Sequence, residues 1–377
     1  MNLSQQPWPQ SGVPAATLTR LDLAELPGMA RGGFRAALAV FCASAQALAQ
    51  ARPASRPGVA AGDALLAAGA RALQLPQEVP EGQARSFFAS HFSAWHVTPL
   101  AGRGFVTGYY EPELAGSRVR SAEFFAPVLS RPADLVTFPP KGTPEGIDQT
   151  LAAARLLPDG GLAPYATRAQ IEAQVPPGCE PLVWLRDHVE LFLMQVQGSA
   201  RVRLPDGQTL RLGYAGRNGH PYVSIGRWLI NQGHIAERDM TLARLKQWLR
   251  ENGEAGRRVM QLNPSYIFFK IVEGLDPALG PVAAASVQLT PLRSIAVDRT
   301  LWPYGLPFWI DAALPWQGGA AEPFQRLMIA QDTGSAIVGP ARADIFFGTG
   351  DAAGARAGDI RHPAAIYVLL PNAPSVP

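Results

Sequence analysis

Apolar positions recur with two different periods along this chain. Phe34, Leu38, Phe41, Ala45 and Leu48 follow one another at spacings of four, three, four and three. That is one face of an amphipathic helix, and it predicts a helix over 33–50. Phe87, Phe88 and Phe92 in PEGQARSFFASHF (80–92) repeat the pattern, so residues 1–100 read as a polar lead-in followed by helices. The character then changes. FVTGYYEPEL (105–114) is β-branched and aromatic and breaks at Pro112. APVLSRP, PLVWLRD, LFLMQVQGSARVRLP and TLRLGYAG follow as short strand-like runs between turn residues. Asp206-Gly207 lies between the alternating runs SARVRLP and QTLRLGY. It predicts a tight hairpin turn, because Asp-Gly tolerates positive φ, and it gives Asp206 no catalytic part. A helix is predicted over 235–253, with Met240, Leu242, Leu245, Trp248 and Leu249 as its apolar side, and QLNPSYIFFKIV reads as turn then strand. From 281 onward PVAAASVQLTP, SIAVDRTLWPYG, PFWI, FQRLMIAQDTG, ADIFFGTG and AAIYVLLP read as strands. No repeat of fixed period appears.

Composition narrows the class. At 377 residues the chain is long enough for two domains. With 47% hydrophobic and 17% charged residues it can bury a large core, which excludes a disordered chain. The 37 glycines and 35 prolines favour a turn-rich, β-rich protein. A net charge of +3 with no dense Lys/Arg run argues against a nucleic-acid partner. Of the two cysteines, Cys42 falls on the apolar side of the first helix and Cys179 in the turn-like PPGCE. Both read as free structural thiols, and neither stands beside a His in a nucleophile pattern. No HExxH motif, paired Cys/His spacing or phosphate-binding glycine motif is placed to act, so neither metal nor nucleotide cofactor is expected. FRAALAVFCASAQALAQA resembles a signal-peptide core, but it starts more than thirty residues in and lacks a charged segment before it. The opening MNLSQQPWPQ shows neither such a core nor a lipobox cysteine.

Three aspartates carry the candidate chemistry. Asp298 follows SIAV, Asp332 follows LMIAQ and Asp344 opens IFF, each at a strand edge beside Gly, Pro or a turn. A lone aspartate there is usually a turn former. Three abutting strands in one third of the chain leave a catalytic carboxyl group as an even alternative.

The runs AVDRTLWPYGLPFWI, IAQDTGSAIVGPARADIFFGTG and AIYVLLP resemble the three-aspartate domain of the membrane-bound lytic murein transglycosylase A family. GYYEP (108–112), VQGSARVRLPDG (196–207), GYAGRNGHPYVSIGRWL (213–229) and NPSYIFFK (263–270) look like further motifs of that family. The resemblance spans about 105–371. It implies a mainly β fold with peripheral helices: a double-psi β-barrel with a second β-barrel domain inserted. The barrel domain would comprise 1–112 plus 276–377, with 113–275 as the insertion. The implied reaction cleaves the β-1,4 bond between N-acetylmuramic acid and N-acetylglucosamine in peptidoglycan and leaves a 1,6-anhydro ring. The sugar's own C6 hydroxyl is then the nucleophile, so one carboxyl can serve as acid and afterwards as base.

By motif match Asp344 is the catalytic acid, with Asp332 and Asp298 in support. Such an acid must be protonated, and Phe346, Phe347 and Asp332 are the expected sources of a raised pKa. Thr107, Tyr109, Tyr110, Gln197, Gly198, Ser199, Asn218, Tyr222 and Gly334 are the expected substrate-binding residues. Ser335 stands where the family pattern has a second glycine, which would narrow the loop near Asp332. The expected partner is the glycan strand, engaged by a monomer, with cell-wall synthesis or division proteins as unidentified companions. The expected location is the periplasm, with outer-membrane association implied by the resemblance. Two rivals stand beside this reading. A hydrolase on the same barrel would need a second carboxylate, for which Asp298, Asp332 or Glu111 could serve. A non-catalytic glycan-binding module would bind without turnover.

Overall fold

The computed structural model describes residues 13–139 and 142–373; the opening MNLSQQPWPQ lies outside them. The first stretch runs β1 (Ala16–Leu21), α1 (Phe34–Ala49), α2 (Asp63–Ala72), α3 (Glu81–His91), β2 (Phe92–Pro99) and β3 (Phe105–Glu111). Next come β4 (Glu113–Ser117), β5 (Ala126–Leu129), β6 (Leu135–Thr137), β7 (Ala153–Leu156), β8 (Leu162–Pro164), α4 (Arg168–Ala173), β9 (Pro181–Leu185), α5 (His188–Gln197), β10 (Ser199–Arg203) and β11 (Thr209–Arg217). Helices α6 (Ile225–Asn231), α7 (Leu242–Glu251) and α8 (Gly253–Gln261) lead to β12 (Ile267–Ile271). The last part holds β13 (Ser294–Val297), β14 (Pro307–Leu314), β15 (Glu322–Asp332), β16 (Arg342–Thr349), α9 (Asp351–Gly358), β17 (Arg361–Pro363) and β18 (Ala365–Pro371). The fold is mainly β with helices. It divides into two compact units, one of 1–110, 277–348 and 356–377, the other of 111–276 and 349–355. Among the described residues no helix is long and apolar enough to cross a membrane.

The first unit is built on a nine-stranded sheet of order β1-β2-β18-β14-β15-β13-β16-β3-β17. Strand β13 pairs in parallel with β15 and antiparallel with β16. Helix α1 lays its predicted stripe into the core, where Phe34, Phe41, Phe87, Phe88 and Phe92 meet with ring centroids 5.4–6.4 Å apart. Gly33 at its start offers no capping side chain. Instead Glu81, in the first turn of α3, accepts hydrogen bonds from the Phe34 and Arg35 amides at 2.6 and 2.9 Å. A carboxylate suits that end of a helix both as acceptor and as charge. Residues 1–100 nevertheless differ from the expected lead-in plus helices. β1 and β2 pair from Ala16↔Pro99 to Leu21↔Ala94. ATLTRL is short, and its residues range from exposed to half-buried, so it leaves little apolar pattern to read.

The second unit holds a six-stranded sheet, β12-β11-β10-β4-β9-β5, and a three-stranded one, β6-β7-β8. The predicted hairpin joins β10 to β11, with Gln208 donating to Asp206 Oδ1 at 2.9 Å. Only Gly207 takes positive φ, at 84°. The loop is therefore Pro205-Asp206-Gly207, closed by Gly207 N–H on Leu204 C=O and Leu204 N–H on Gln208 C=O. This is a three-residue turn with glycine in the left-handed position.

LFLMQVQ is a helix, α5, and not the first half of a strand. Asp187 caps it by accepting from the Glu190 amide at 2.7 Å, and Gly198 ends it at φ 83°. Leu191 and Met194 enter the core of the six-stranded sheet, whereas Val189, Phe192 and Leu193 pack with α6, α7 and α8. A helix buried on both sides has no polar face, so its sequence carries no 3.6-residue period. The helix expected over 235–253 begins only at Leu242, where Thr241 caps it, and α8 follows it. PVAAASVQLTP forms no strand. It turns at Ser286, φ 60°, and keeps one bridge, Val282↔Gln288.

A buried polar chain fixes β15 against α1. Gln331 donates to Ser44 Oγ at 2.8 Å and to the Val40 carbonyl at 3.2 Å, and it accepts from Ser294 Oγ at 2.6 Å. All three side chains are buried. Replacing Gln331 with Leu strands those partners. Urea unfolding of the variant should show a loss of about 1–3 kcal/mol; a loss under about 0.5 kcal/mol would mean the chain carries no weight.

Candidate active site

Two of the three aspartates stand abreast on the first unit's sheet. Ala296 in β13 is the register partner of Asp332 in β15 and of Asp344 in β16. Residues opposite one another in adjacent strands project from the same face. Both carboxyls therefore flank the Ala296 methyl. On β15 this depends on an irregularity in the ladder that passes over Gln331, so Asp332 stands beside Ala296 while Gln331 turns to α1. A bulge re-aims side chains in this way.

Strand β3 supplies the remaining groups from the other side of β16. Thr107 and Tyr109 alternate with Gly108 and Tyr110, so the first two share one face. Thr107 Oγ1 donates to Asp344 Oδ1 at 2.5 Å, and the Tyr109 hydroxyl donates to Asp332 Oδ2 at 3.1 Å. The Tyr109 ring reaches Asp332 by crossing Phe346, with centroids 5.3 Å apart. Gly108 permits the close pass, since a Cβ there would lie 2.8 Å from the backbone of Ala357.

Asp344 is half-buried, and its pKa lies above the ordinary aspartate value. Burial is the main cause; the Arg342 guanidinium and the Thr107 hydroxyl pull the other way, and Asp332 adds a smaller upward push. Asp332 is therefore not a leading source of the shift. Two strand spacings separate its backbone from that of Asp344, about 10 Å, which weakens the coupling. Phe346, two residues on in β16, shares the face of Asp344 and is buried, whereas Phe347 projects from the other face beside Gly108. Asp332 is also raised by burial, opposed by Arg56 and by donors that include Tyr109 and the Ala284 amide. That amide, 3.1 Å from Oδ1, comes from the PVAAASV turn.

Asp298 is a loop clamp. Its Oδ1 accepts from the Thr300 amide and hydroxyl at 2.9 and 2.7 Å, and its Oδ2 accepts from the Gly339 amide at 2.8 Å. It thereby ties the end of β13 to the loop that follows Asp332. Gly334 opens a turn in that loop, with Ile337 donating back to its carbonyl. Ser335, next in that loop, is exposed. Tyr110 is 6% exposed and offers no face to a sugar. Sequence reasoning missed Arg342 and Arg56, since an isolated arginine carries no motif. The alternation in Arg342-Ala343-Asp344 could have shown that Arg342 shares a face with the acid.

The remaining expected residues lie in the second unit. Gln197 and Gly198 end α5 rather than a strand, and Ser199 is buried at the start of β10. Asn218 is fully buried. It donates to the Ala166 and Pro264 carbonyls and accepts from the Tyr266 amide, all at 2.8 Å. It is a structural brace and not a sugar contact. Tyr222 is half-buried just before α6. Among the described residues no group of three or more His, Cys, Asp or Glu could hold a metal.

A half-buried carboxyl held toward its protonated form and bonded to a hydroxyl is the arrangement a general acid requires. Residues 105–270 match the MltA specific insert domain, and residues 293–370 match the 3D domain. The membrane-bound lytic murein transglycosylase A of Escherichia coli (strain K12) is 32% identical over 295 residues, covering 76% of this chain and 72% of that protein. A membrane-bound lytic murein transglycosylase from Agrobacterium tumefaciens has a crystal structure that aligns with a TM-score of 0.84 at 34% identity, over 94% of this chain and 98% of that one. Escherichia coli MltA with bound chitohexaose aligns with a TM-score of 0.66 at 25% identity, over 97% of each chain. The chain belongs to the membrane-bound lytic murein transglycosylase A family.

The raised pKa has a measurable stability consequence. The folded state holds the Asp344 proton more tightly than the unfolded chain, whose aspartates titrate near ~3.9. Asp344 thus favours folding most below that pH, and the advantage is lost as pH rises through the folded pKa. Asp344→Asn has no such loss. Its Tm relative to wild type should climb between about pH 4 and neutrality. A Tm difference that stays flat or falls over that range would contradict the assignment.

Proposed function

We propose that this chain is a peptidoglycan lytic transglycosylase in which Asp344 is the single acid and base. It cleaves the β-1,4 bond between N-acetylmuramic acid and N-acetylglucosamine and forms 1,6-anhydromuramic acid. One observation carries the assignment of the acid. Among the described residues Asp344 alone of the three aspartates keeps a carboxyl oxygen, Oδ2, with no protein donor. In the first step that group protonates the glycosidic oxygen and the bond to C1 breaks. In the second the C6 hydroxyl attacks C1, and its proton returns to Asp344. A positioned carboxyl in this part contributes roughly 10²–10⁴-fold.

The geometry disfavours a hydrolase. Glu111 is fully buried and held by Arg201 at 2.8 Å and Arg211 at 3.2 Å. Asp332 and Asp298 have both oxygens engaged. The bound chitohexaose of the Escherichia coli relative supports a glycan chain as substrate.

Asp332 and Asp298 position the site in this reading. Tyr109 and Gly334 of the first unit remain proposed sugar contacts, as do Gln197, Gly198 and Tyr222 of the second, while Ser199 is buried. We further propose that the first unit closes as a double-psi β-barrel with 113–275 inserted. The parallel pairing of β13 with β15 amid antiparallel neighbours supports it. A monomer in the periplasm, associated with the outer membrane, fits the membrane-bound relatives; fractionation of cells tests that location.

Digestion of purified sacculi should release anhydro-muropeptides by mass analysis, and free reducing ends would instead identify a hydrolase. Asp344→Ala should lower that release at least about a hundredfold while the variant stays folded. Retention of more than about a tenth of the rate would remove Asp344 from the acid's place. Asp332→Asn should move the alkaline limb of kcat/KM toward acid, because the lost negative charge had raised Asp344. The shift should be under about one pH unit, given the separation, and movement toward alkali would refute the coupling.

A further inference from the structure

We infer that Arg342 is a positioning residue that acts through Thr107 to place the catalytic proton on Asp344 Oδ2. The inference rests on Asp344 being the acid. Arg342 lies two residues before Asp344 in β16 and so projects from the same face. Its Nη2 donates to Thr107 Oγ1 at 2.7 Å, and Thr107 Oγ1 donates to Asp344 Oδ1 at 2.5 Å. The guanidinium is anchored by a second bond from Nη1 to the Ala343 carbonyl and lies 5.7 Å over the Phe105 ring.

The direction of the chain follows from proton counting. A guanidinium has donors only, and a threonine hydroxyl has a single proton. Arg342 occupies one of the two Thr107 lone pairs, and the hydroxyl turns its one proton to Asp344 Oδ1. That oxygen can then only accept. When the carboxyl is protonated, the proton resides on Oδ2, the oxygen with no protein partner. This is the oxygen free to meet the glycosidic oxygen and later the C6 hydroxyl. Without the guanidinium, Thr107 is freer to turn and accept from a protonated Oδ1, and part of the acid's protonated population would face protein instead of substrate. Each proton transferred to the leaving oxygen is recovered from the C6 hydroxyl, so the carboxyl is restored and Thr107 never exchanges its own proton.

The arginine also sets the acid's strength. Its positive charge favours ionised Asp344, so its removal should raise the alkaline limb of kcat/KM by about one pH unit. Proton placement is read separately, from kcat on the acidic plateau where Asp344 is protonated throughout. Arg342→Met and Thr107→Val should each lower that plateau several-fold. Because both act on one hydrogen-bond chain, the double variant should be no slower there than Thr107→Val alone, a non-additive result. Thr107→Ser and Arg342→Lys keep the donors and should hold the alkaline limb closer to its wild-type position, and they serve if the larger changes fail to fold. The relay is overturned if Arg342→Met leaves the alkaline limb in place. It is also overturned if Arg342→Met lowers the plateau by the same factor with Thr107 as with Val at 107. An active Asp344→Ala enzyme would instead overturn the underlying assignment of the acid.

Discussion

Strand β13 is hydrogen-bonded on both sides, in parallel to β15 and antiparallel to β16, and this ladder brings Asp332 and Asp344 to one face. It sets one alanine methyl between two carboxyls. Had a larger residue stood at 296, it would have filled the space above the sheet. Had the ladder run without its irregularity at Gln331, Asp332 would have faced the other way. The parallel pairing also means that β13 and β15 cannot be joined by a hairpin. β14 returns beside β15 instead, and the site depends on contacts far apart in sequence.

Around that ladder the polar groups sort by what they do to charge. Burial drives both Asp332 and Asp344 toward their neutral forms, and each has an arginine in opposition, Arg56 and Arg342 respectively. The outcome differs because their hydrogen bonds differ. Asp332 is held by Tyr109 and Ala284, one on each oxygen, whereas Asp344 is held through one oxygen only. An acid must let its proton go, and a carboxyl engaged on both oxygens is poorly placed to do so. Asp298 stands further still from chemistry, with its carboxyl spent on Thr300 and on the Gly339 loop.

The supporting structure follows the same economy of satisfied polar groups. Gln331, Ser44 and Ser294 form a closed set behind the sheet, and Glu81 caps α1 from another helix. In the second unit Arg168 is buried with bonds to Gln195 and to the Asn263 and Ser265 carbonyls, while Glu111 is buried between two arginines. Pairs of this kind cost a great deal if one partner is removed. They are rigid points, which suits a site whose acid must be held to within a fraction of an ångström.

Period and turn chemistry by themselves determined α1, α3 and the β10–β11 hairpin, because those segments show one face to water or end on turn residues, and the last strands were legible as short apolar runs between turns. The motifs around Asp298, Asp332 and Asp344 carried the family. Other features were beyond a linear reading. α5 buries apolar residues on two sides, so little in LFLMQVQ separates a buried helix from a strand. Asn218 and Tyr110 look like ligand contacts in a polar, aromatic motif, and only packing shows that they are buried. Which aspartate keeps an oxygen without a protein donor, and that Arg342 and Thr107 stand beside it, is visible in tertiary structure alone. Residues 107 and 344 meet only because β3 and β16 are neighbours in the sheet, and a hydrogen bond between such distant positions leaves no local trace in the chain.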